Sequence, residues 1–113
     1  MNKKKLKAKI REISKLEKNW DSYGADPIKR KIINKTNNII DFLDKSIPDP
    51  NIVPNVQGIQ LEWENDPKAL EIYIEENGLS YLKVIGKEMK NWIETSFYDI
   101  KKINELLKWL YYK

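Results

Sequence analysis

The chain has no cysteine and no histidine. Without cysteine there is no disulfide framework, thiolate nucleophile or Cys-ligated metal. Without histidine the usual neutral-pH acid/base and the commonest zinc ligand are missing as well. Arginine is scarce, Arg11 and Arg30 being the two in the chain, which weakens base-specific nucleic-acid readout because such readout favours bidentate arginine. Long apolar runs are absent too. The stretch from Met1 to Lys7 begins basic like a signal peptide, but the residues after it alternate charged with apolar, and nothing later approaches a membrane span. A soluble, cytoplasmic protein with no membrane association is therefore expected. No catalytic or cofactor motif stands out, and no cofactor is expected.

What is present fits one domain. At 113 residues the chain can bury roughly two thirds of the surface its unfolded form exposes, and four Trp, six Tyr and two Phe argue against disorder despite 34% charged residues. The net charge of +4 is unevenly spread. Residues 1 to 31 carry eleven basic against four acidic side chains, a sum of +7, whereas residues 59 to 78 carry six acids against Lys68, a sum of −5. A basic face of this kind attracts phosphate backbones and an acidic one attracts a basic protein, although the plainer account of both is a solvated surface.

Hydrophobic spacing predicts the elements. Leu6, Ile10, Ile13, Leu16 and Trp20 form the stripe of a first helix that should stop near Lys18 to Trp20. Asp26 as N-cap and Pro27 at the first helical position predict a second helix carrying Ile28, Ile32, Ile39, Leu43 and Ile47, joined by Ile33, Ile40 and Phe42, and ended by Pro48 and Pro50. The period then changes to two. Ile59, Leu61 and Trp63 alternate with Gln60, Glu62 and Glu64, and after a turn at 65 to 68 Leu70, Ile72 and Ile74 alternate with polar residues, the pattern of a hairpin. Glu76-Asn77-Gly78 supplies a second turn into a strand from Ser80 to Ile85, and Gly86 a further turn. Ile52 to Val56 and Met89 to Ile93 are candidate extra strands, the first tolerating Pro54 only as an edge. Ser96 with Asp99 resembles a capping box before a last helix carrying Ile100, Ile103, Leu106, Leu107, Trp109 and Leu110. The expected fold is a single α+β domain over residues 1-113, with two N-terminal helices, an antiparallel sheet of three to five strands and a C-terminal helix packed on one sheet face.

Two blocks carry a resemblance. Asn19-Trp20-Asp21-Ser22-Tyr23-Gly24-Ala25 followed by Pro27, together with Val53-Pro54, Gly58-Ile59-Gln60-Leu61-Glu62-Trp63 and Leu70-Glu71-Ile72, resembles a group of small bacterial proteins with W-D-x-Y-G-A and I-Q-L-E-W segments. The resemblance spans about residues 10 to 76. The group has no established activity, so what the resemblance implies is a compact bacterial α+β domain, in a genomic setting of mobile or defence genes.

Three surfaces are candidate sites. Trp20, Asp21 and Tyr23 place a carboxylate between two rings, an arrangement able to hold a cation or an amine; the plainer account is a helix–helix corner with Asp21 capping a turn, Gly24 in a conformation other residues avoid, and Tyr23 packed with its hydroxyl satisfied. Gln60, Glu62 and Glu64 share a strand face that extends toward Glu71, Tyr73 and Glu75, a row able to bind a divalent metal, a basic partner or a proton; the plainer account is the polar half of an alternating strand, with opposed carboxylates pointing to solvent. Trp109-Leu110-Tyr111-Tyr112 cannot all face one side of a helix, which makes Tyr111 and Tyr112 candidates for a partner or homo-oligomer contact. Lys3, Lys4, Lys5, Lys7, Lys9 and Arg11 line a possible nucleic-acid arm, with Tyr111 or Tyr112 available to stack on bases.

By exclusion, the leading functional expectation is a non-enzymatic protein-interaction module, antitoxin-like or inhibitory in a bacterial or phage conflict system. A sequence-nonspecific nucleic-acid binder using the basic N-terminal helix is the first alternative. A carboxylate-based metal-dependent enzyme centred on Asp21 or on Glu62 and Glu64 is the second.

Overall fold

A computed structural model of the chain describes residues 1–86, 95–97 and 99–112, with 95–97 described as backbone. Helices α1 (Lys3–Ser14) and α2 (Arg30–Phe42) precede strands β1 (Asn51–Asn55), β2 (Gly58–Asn65), β3 (Lys68–Glu75), β4 (Gly78–Ile85) and β5 (Thr95–Phe97), and α3 (Lys101–Tyr111) closes the chain. The strands form one antiparallel meander in sequence order. The expected α+β architecture is therefore what the chain adopts. The anticipated strand at Met89 to Ile93 lies outside the described residues.

Alternation sets the two faces of the sheet. Ile52, Ile59, Leu61, Trp63, Leu70, Ile72, Ile74, Leu79 and Tyr81 are buried and share one cluster with Leu6, Ile10 and Ile13 of α1, with Ile32, Ile33, Ile39 and Ile40 of α2, and with Ile103, Leu106, Leu107 and Leu110 of α3. All three helices thus lie in one layer on one sheet face. Trp63 fixes its place in that core by donating its indole N–H to the Pro48 carbonyl at 2.9 Å. Thr36, buried among the isoleucines of α2, turns its hydroxyl back onto the Ile32 carbonyl at 2.8 Å and so carries no unmet polar group into the core. The opposite sheet face carries Val53, Gln60, Glu62, Glu64, Ala69, Glu71, Tyr73, Ser80, Leu82 and Val84, and no described helix covers it.

The hairpins follow from their turn residues. Asn55 accepts the amides of Gln57 and Gly58 on its side chain at 2.9 and 2.8 Å, an Asx turn that reverses β1 into β2. Gly58 is required by close approach, since a Cβ there would lie 2.0 Å from the Ile74 carbonyl oxygen.

Four sequence-based boundaries need correction. Helix α1 stops at Ser14, where Lys15 and Leu16 donate to Glu12 and Ile13 in tightened last-turn bonds, and Asn19 sits at φ 68°, which no right-handed helix continues through. Trp20 is consequently outside the α1 stripe. Helix α2 starts at Arg30, not at Pro27, because Asp26 is otherwise engaged: its carbonyl accepts the Trp20 indole N–H and its carboxylate takes the Lys18 ammonium. The same helix ends at Phe42, well before the prolines. There Leu43 turns extended, and Asp44 accepts the Ser46 amide at 2.8 Å, bonds that also hold the Asp44 carboxyl below its ordinary pKa. Leu43 and Ile47 still reach the core from this turn, which is why their spacing looked helical. Ser96 does not cap α3; it pairs with Ser80 in β5, and Asp99 instead accepts the Lys101 amide at 2.9 Å.

Candidate functional site

The end of α3 is held to the sheet by side chains that meet its orphan carbonyls. Lys68 donates to the Trp109 carbonyl and Asn65 to the Leu110 carbonyl, both at 2.8 Å, where a helix C-terminus favours cations and donors. The ammonium groups of Lys68 and Lys83 also lie 5.2 and 4.9 Å from the centre of the Trp109 indole, in cation–π range. These contacts divide the four terminal residues that sequence left ambiguous. Leu110 enters the core, Trp109 packs beneath the two lysines, Tyr112 faces solvent, and Tyr111 is half-buried.

Tyr111 lines an open groove of about 520 Å³ together with Pro48, Asp49, Asn51, Glu62, Trp63, Glu64, Ala69 and Glu71. The groove forms because β1 begins at Asn51, opposite Glu62, and leaves the last residues of β2 without a partner on that side. Burial raises the Tyr111 phenol above the usual tyrosine range. Glu62 and Glu71 stand directly opposite each other across β2 and β3, an arrangement that costs stability unless the charge is spread. Each is met by a neutral donor on its own strand. The Gln60 amide donates to Glu62 at 2.5 Å, and the Tyr73 hydroxyl donates to Glu71. The expectation that these acids simply point to solvent is thus refined, for both are half-buried and hydrogen-bonded. Asp49 accepts the Asn2 amide at 2.7 Å.

Among the described residues none of the four groove carboxylates is in an ion pair, and no lysine or arginine lines the groove. A second groove, of about 350 Å³ at the start of α2, is different. Ile28, Ile32 and Lys29 line it, and of its carboxylates Glu76 pairs with Lys29 at 2.5 Å, a bond that lowers the Glu76 pKa, and Asp26 with Lys18 at 3.0 Å. Among the described residues no group of three or more acidic side chains is arranged to hold a metal ion.

The other candidate residues lie elsewhere. Asp21 accepts the amides of Ala25 and Tyr23 at 3.0 and 2.9 Å, which lowers its pKa and commits it to the turn. Asn19 accepts the Gly24 amide on its side chain at 2.7 Å and donates its own amide to the Ala25 carbonyl at 2.7 Å. Gly24, at φ 85°, takes the left-handed conformation that glycine allows. Tyr23 overturns one expectation: it is 92% exposed, not packed. Trp20 is half-buried and donates its indole N–H to the Asp26 carbonyl at 2.8 Å. Within the basic arm, Lys3 and Lys7 both reach Asp41 of α2, at 2.9 Å to its carbonyl and 2.5 Å to its carboxylate, while Lys4, Lys5, Lys9 and Arg11 are exposed.

Sequence reading did not reach Asp49, whose place in the groove depends on the turn after α2. Its one local signal was its position between Pro48 and Pro50. No family model, characterised protein or solved structure matches this chain. No helix among the described residues is long and apolar enough to cross a membrane.

Proposed function

We propose that this protein is a non-enzymatic interaction module that binds a basic segment of a partner protein on the acidic outer face of its sheet, with a lysine or arginine side chain seated in the groove beside Tyr111 at the end of α3. The observation that carries this reading is the set of four carboxylates, Asp49, Glu62, Glu64 and Glu71, without a cationic partner among the described residues, on a chain whose net charge is +4. A single exposed ion pair contributes little, but several carboxylates around one partly desolvated cation add up, and the Tyr111 ring supplies a face for its apolar stem. Val53, Leu82 and Val84 on the same face offer apolar contact beyond the charges. Docked on a cation-rich enzyme, such a face acts by blocking it, which suits an inhibitory or antitoxin-like partner.

A hexa-arginine peptide titrated into isotopically labelled protein tests the proposal. Saturable shifts confined to Asp49, to the 62–71 hairpin and to Tyr111 are expected. The double variant Glu62→Gln/Glu71→Gln should weaken binding roughly 3- to 30-fold. Shifts scattered over the whole surface, or affinity unchanged in the variant, would remove the groove from the interface.

A further inference from the structure

All three helices open on cations with no acid in the first turn, and the first carries the longest such run. Its first turn is Lys3-Lys4-Lys5 with no acid, at the end of the helix where the macrodipole disfavours cations. Lys5 and Lys9 add a like-charged pair one turn apart. The fold relieves part of this, since Asp41 takes Lys3 and Lys7. It leaves Lys4, Lys5, Lys9 and Arg11, followed by Lys15, exposed and outside any described ion pair. Glu12 is the one acid in the helix. The helix itself is anchored firmly, with the terminal ammonium on the Lys45 carbonyl at 2.6 Å and the Asn2 side chain capping the Lys5 amide at 3.1 Å. A rigid rod carrying uncompensated cations is a site for an anion supplied from outside.

The chain then runs from Lys15 into the corner that presents Tyr23. That corner is fixed by the Asp21 and Asn19 side chains, by the Trp20 bond to Asp26 and by the Lys18–Asp26 pair, and it holds Ser22 at φ 67°, a conformation that a serine rarely takes. The backbone held in this way presents an aromatic ring 92% exposed to solvent. Exposed cations along a helix followed in the chain by a bare ring are the two parts of a single-strand site, in which cationic groups follow phosphates and an unpaired base stacks on the ring. A duplex has its bases stacked inside and cannot use Tyr23, whereas a single strand bends to follow both elements.

We infer that α1 and the Tyr23 corner bind single-stranded nucleic acid without sequence preference, through Lys4, Lys5, Lys9, Arg11 and Lys15 on phosphates and Tyr23 on a base. This reading is independent of the acidic groove, which lies on other elements.

Fluorescence anisotropy of labelled oligo(dT) and oligo(rU), each about 15 nucleotides long, with a hairpin duplex and anionic phospholipid vesicles as comparators, tests it. Both single strands should bind more tightly than the duplex, with affinity falling steeply between about 50 and 200 mM salt. Equal binding of the two strands indicates phosphate and stacking alone, while preference for oligo(rU) adds contacts to the ribose hydroxyl. Tyr23→Ser should weaken binding roughly 5- to 100-fold and Tyr23→Phe should retain it, since the ring and not the hydroxyl is used. Lys5→Gln and Lys9→Gln should each reduce the salt slope by about 0.7, whereas Glu62→Gln leaves binding unchanged. The almost fully exposed Tyr23 ring can be replaced without disturbing the core, and circular dichroism checks that it has been. Wild-type affinity in Tyr23→Ser, no saturable binding at low salt, equal affinity for the duplex, or binding to vesicles alone would overturn the inference.

Discussion

Two sets of carboxylates in this molecule sit in very different sequence settings and differ in what they hold. Asp21 sits in the most distinctive motif of the chain, yet its oxygen is committed to the amides of Tyr23 and Ala25. Glu62 and Glu71 sit in ordinary alternating strands, yet they face each other in a groove that no lysine or arginine among the described residues lines. The unusual acid therefore builds the corner, and the commonplace acids line the groove. A rare residue pattern marks a demanding backbone as readily as it marks chemistry.

The largest expected effect comes from crossing the sheet by one residue. Leu61 is completely buried, and Leu61→Ala should cost about 2 to 5 kcal/mol in denaturant unfolding, whereas its neighbour Glu62 can be neutralised with almost no loss. If Glu62→Gln were as damaging as Leu61→Ala, the two faces would not have the roles assigned to them. Next comes Asp21→Asn, which weakens both turn bonds and should lower the melting temperature at neutral pH by less than Leu61→Ala does. The sign of its pH dependence follows from the depressed pKa. An aspartate favoured by backbone amides in the folded state stabilises above its unfolded value of about 3.9, and that contribution disappears as pH falls through the lower folded value. Stability curves of wild type and Asp21→Asn should consequently approach each other below about pH 3.9, and curves that stay parallel would show that the carboxylate is not holding the turn.

How much of this was legible depended on which residues set the answer. The β2–β3 hairpin and the inward isoleucines could be read directly, because a period of two in a half-buried strand fixes the faces before any tertiary contact is known. Helix ends were not legible, because the competing groups lie far off in sequence or in unexpected roles. Asp26 had the sequence of an N-cap, but Lys18 and the Trp20 indole claimed it. Leu43 and Ile47 kept a helical spacing in a turn that merely returns to the core. The acidic row was visible as a row, but Asp49 and Tyr111 joined it only through the turn after α2 and the capped end of α3, contacts 15 to 45 residues apart in sequence. Tyr23 was misread because nothing local distinguishes a packed tyrosine from a presented one.

A smaller effect separates the two charged surfaces by asking what each costs the fold. The first-turn lysines of α1 oppose the helix dipole, so Lys4→Glu should stabilise the protein by about 0.3 to 1 kcal/mol while weakening single-strand binding. A gain in stability with binding intact would mean that Lys4 is only a surface charge.

The smallest effect is the most discriminating for the groove. Glu62 and Glu71 repel across the strand pair, and the Gln60 and Tyr73 donors relieve that repulsion only in part. Removing one charge should therefore leave the fold unchanged or raise its stability by about 0.2 to 1 kcal/mol, measured as a shift in urea midpoint with an unchanged slope. The opposite sign, a loss on Glu71→Gln, would mean that the charged Tyr73–Glu71 hydrogen bond outweighs the repulsion and that the acidic pair is part of the scaffold. A gain joined to lost peptide binding is the result that assigns the pair to a partner, since the same two charges would then weaken the fold and strengthen the complex.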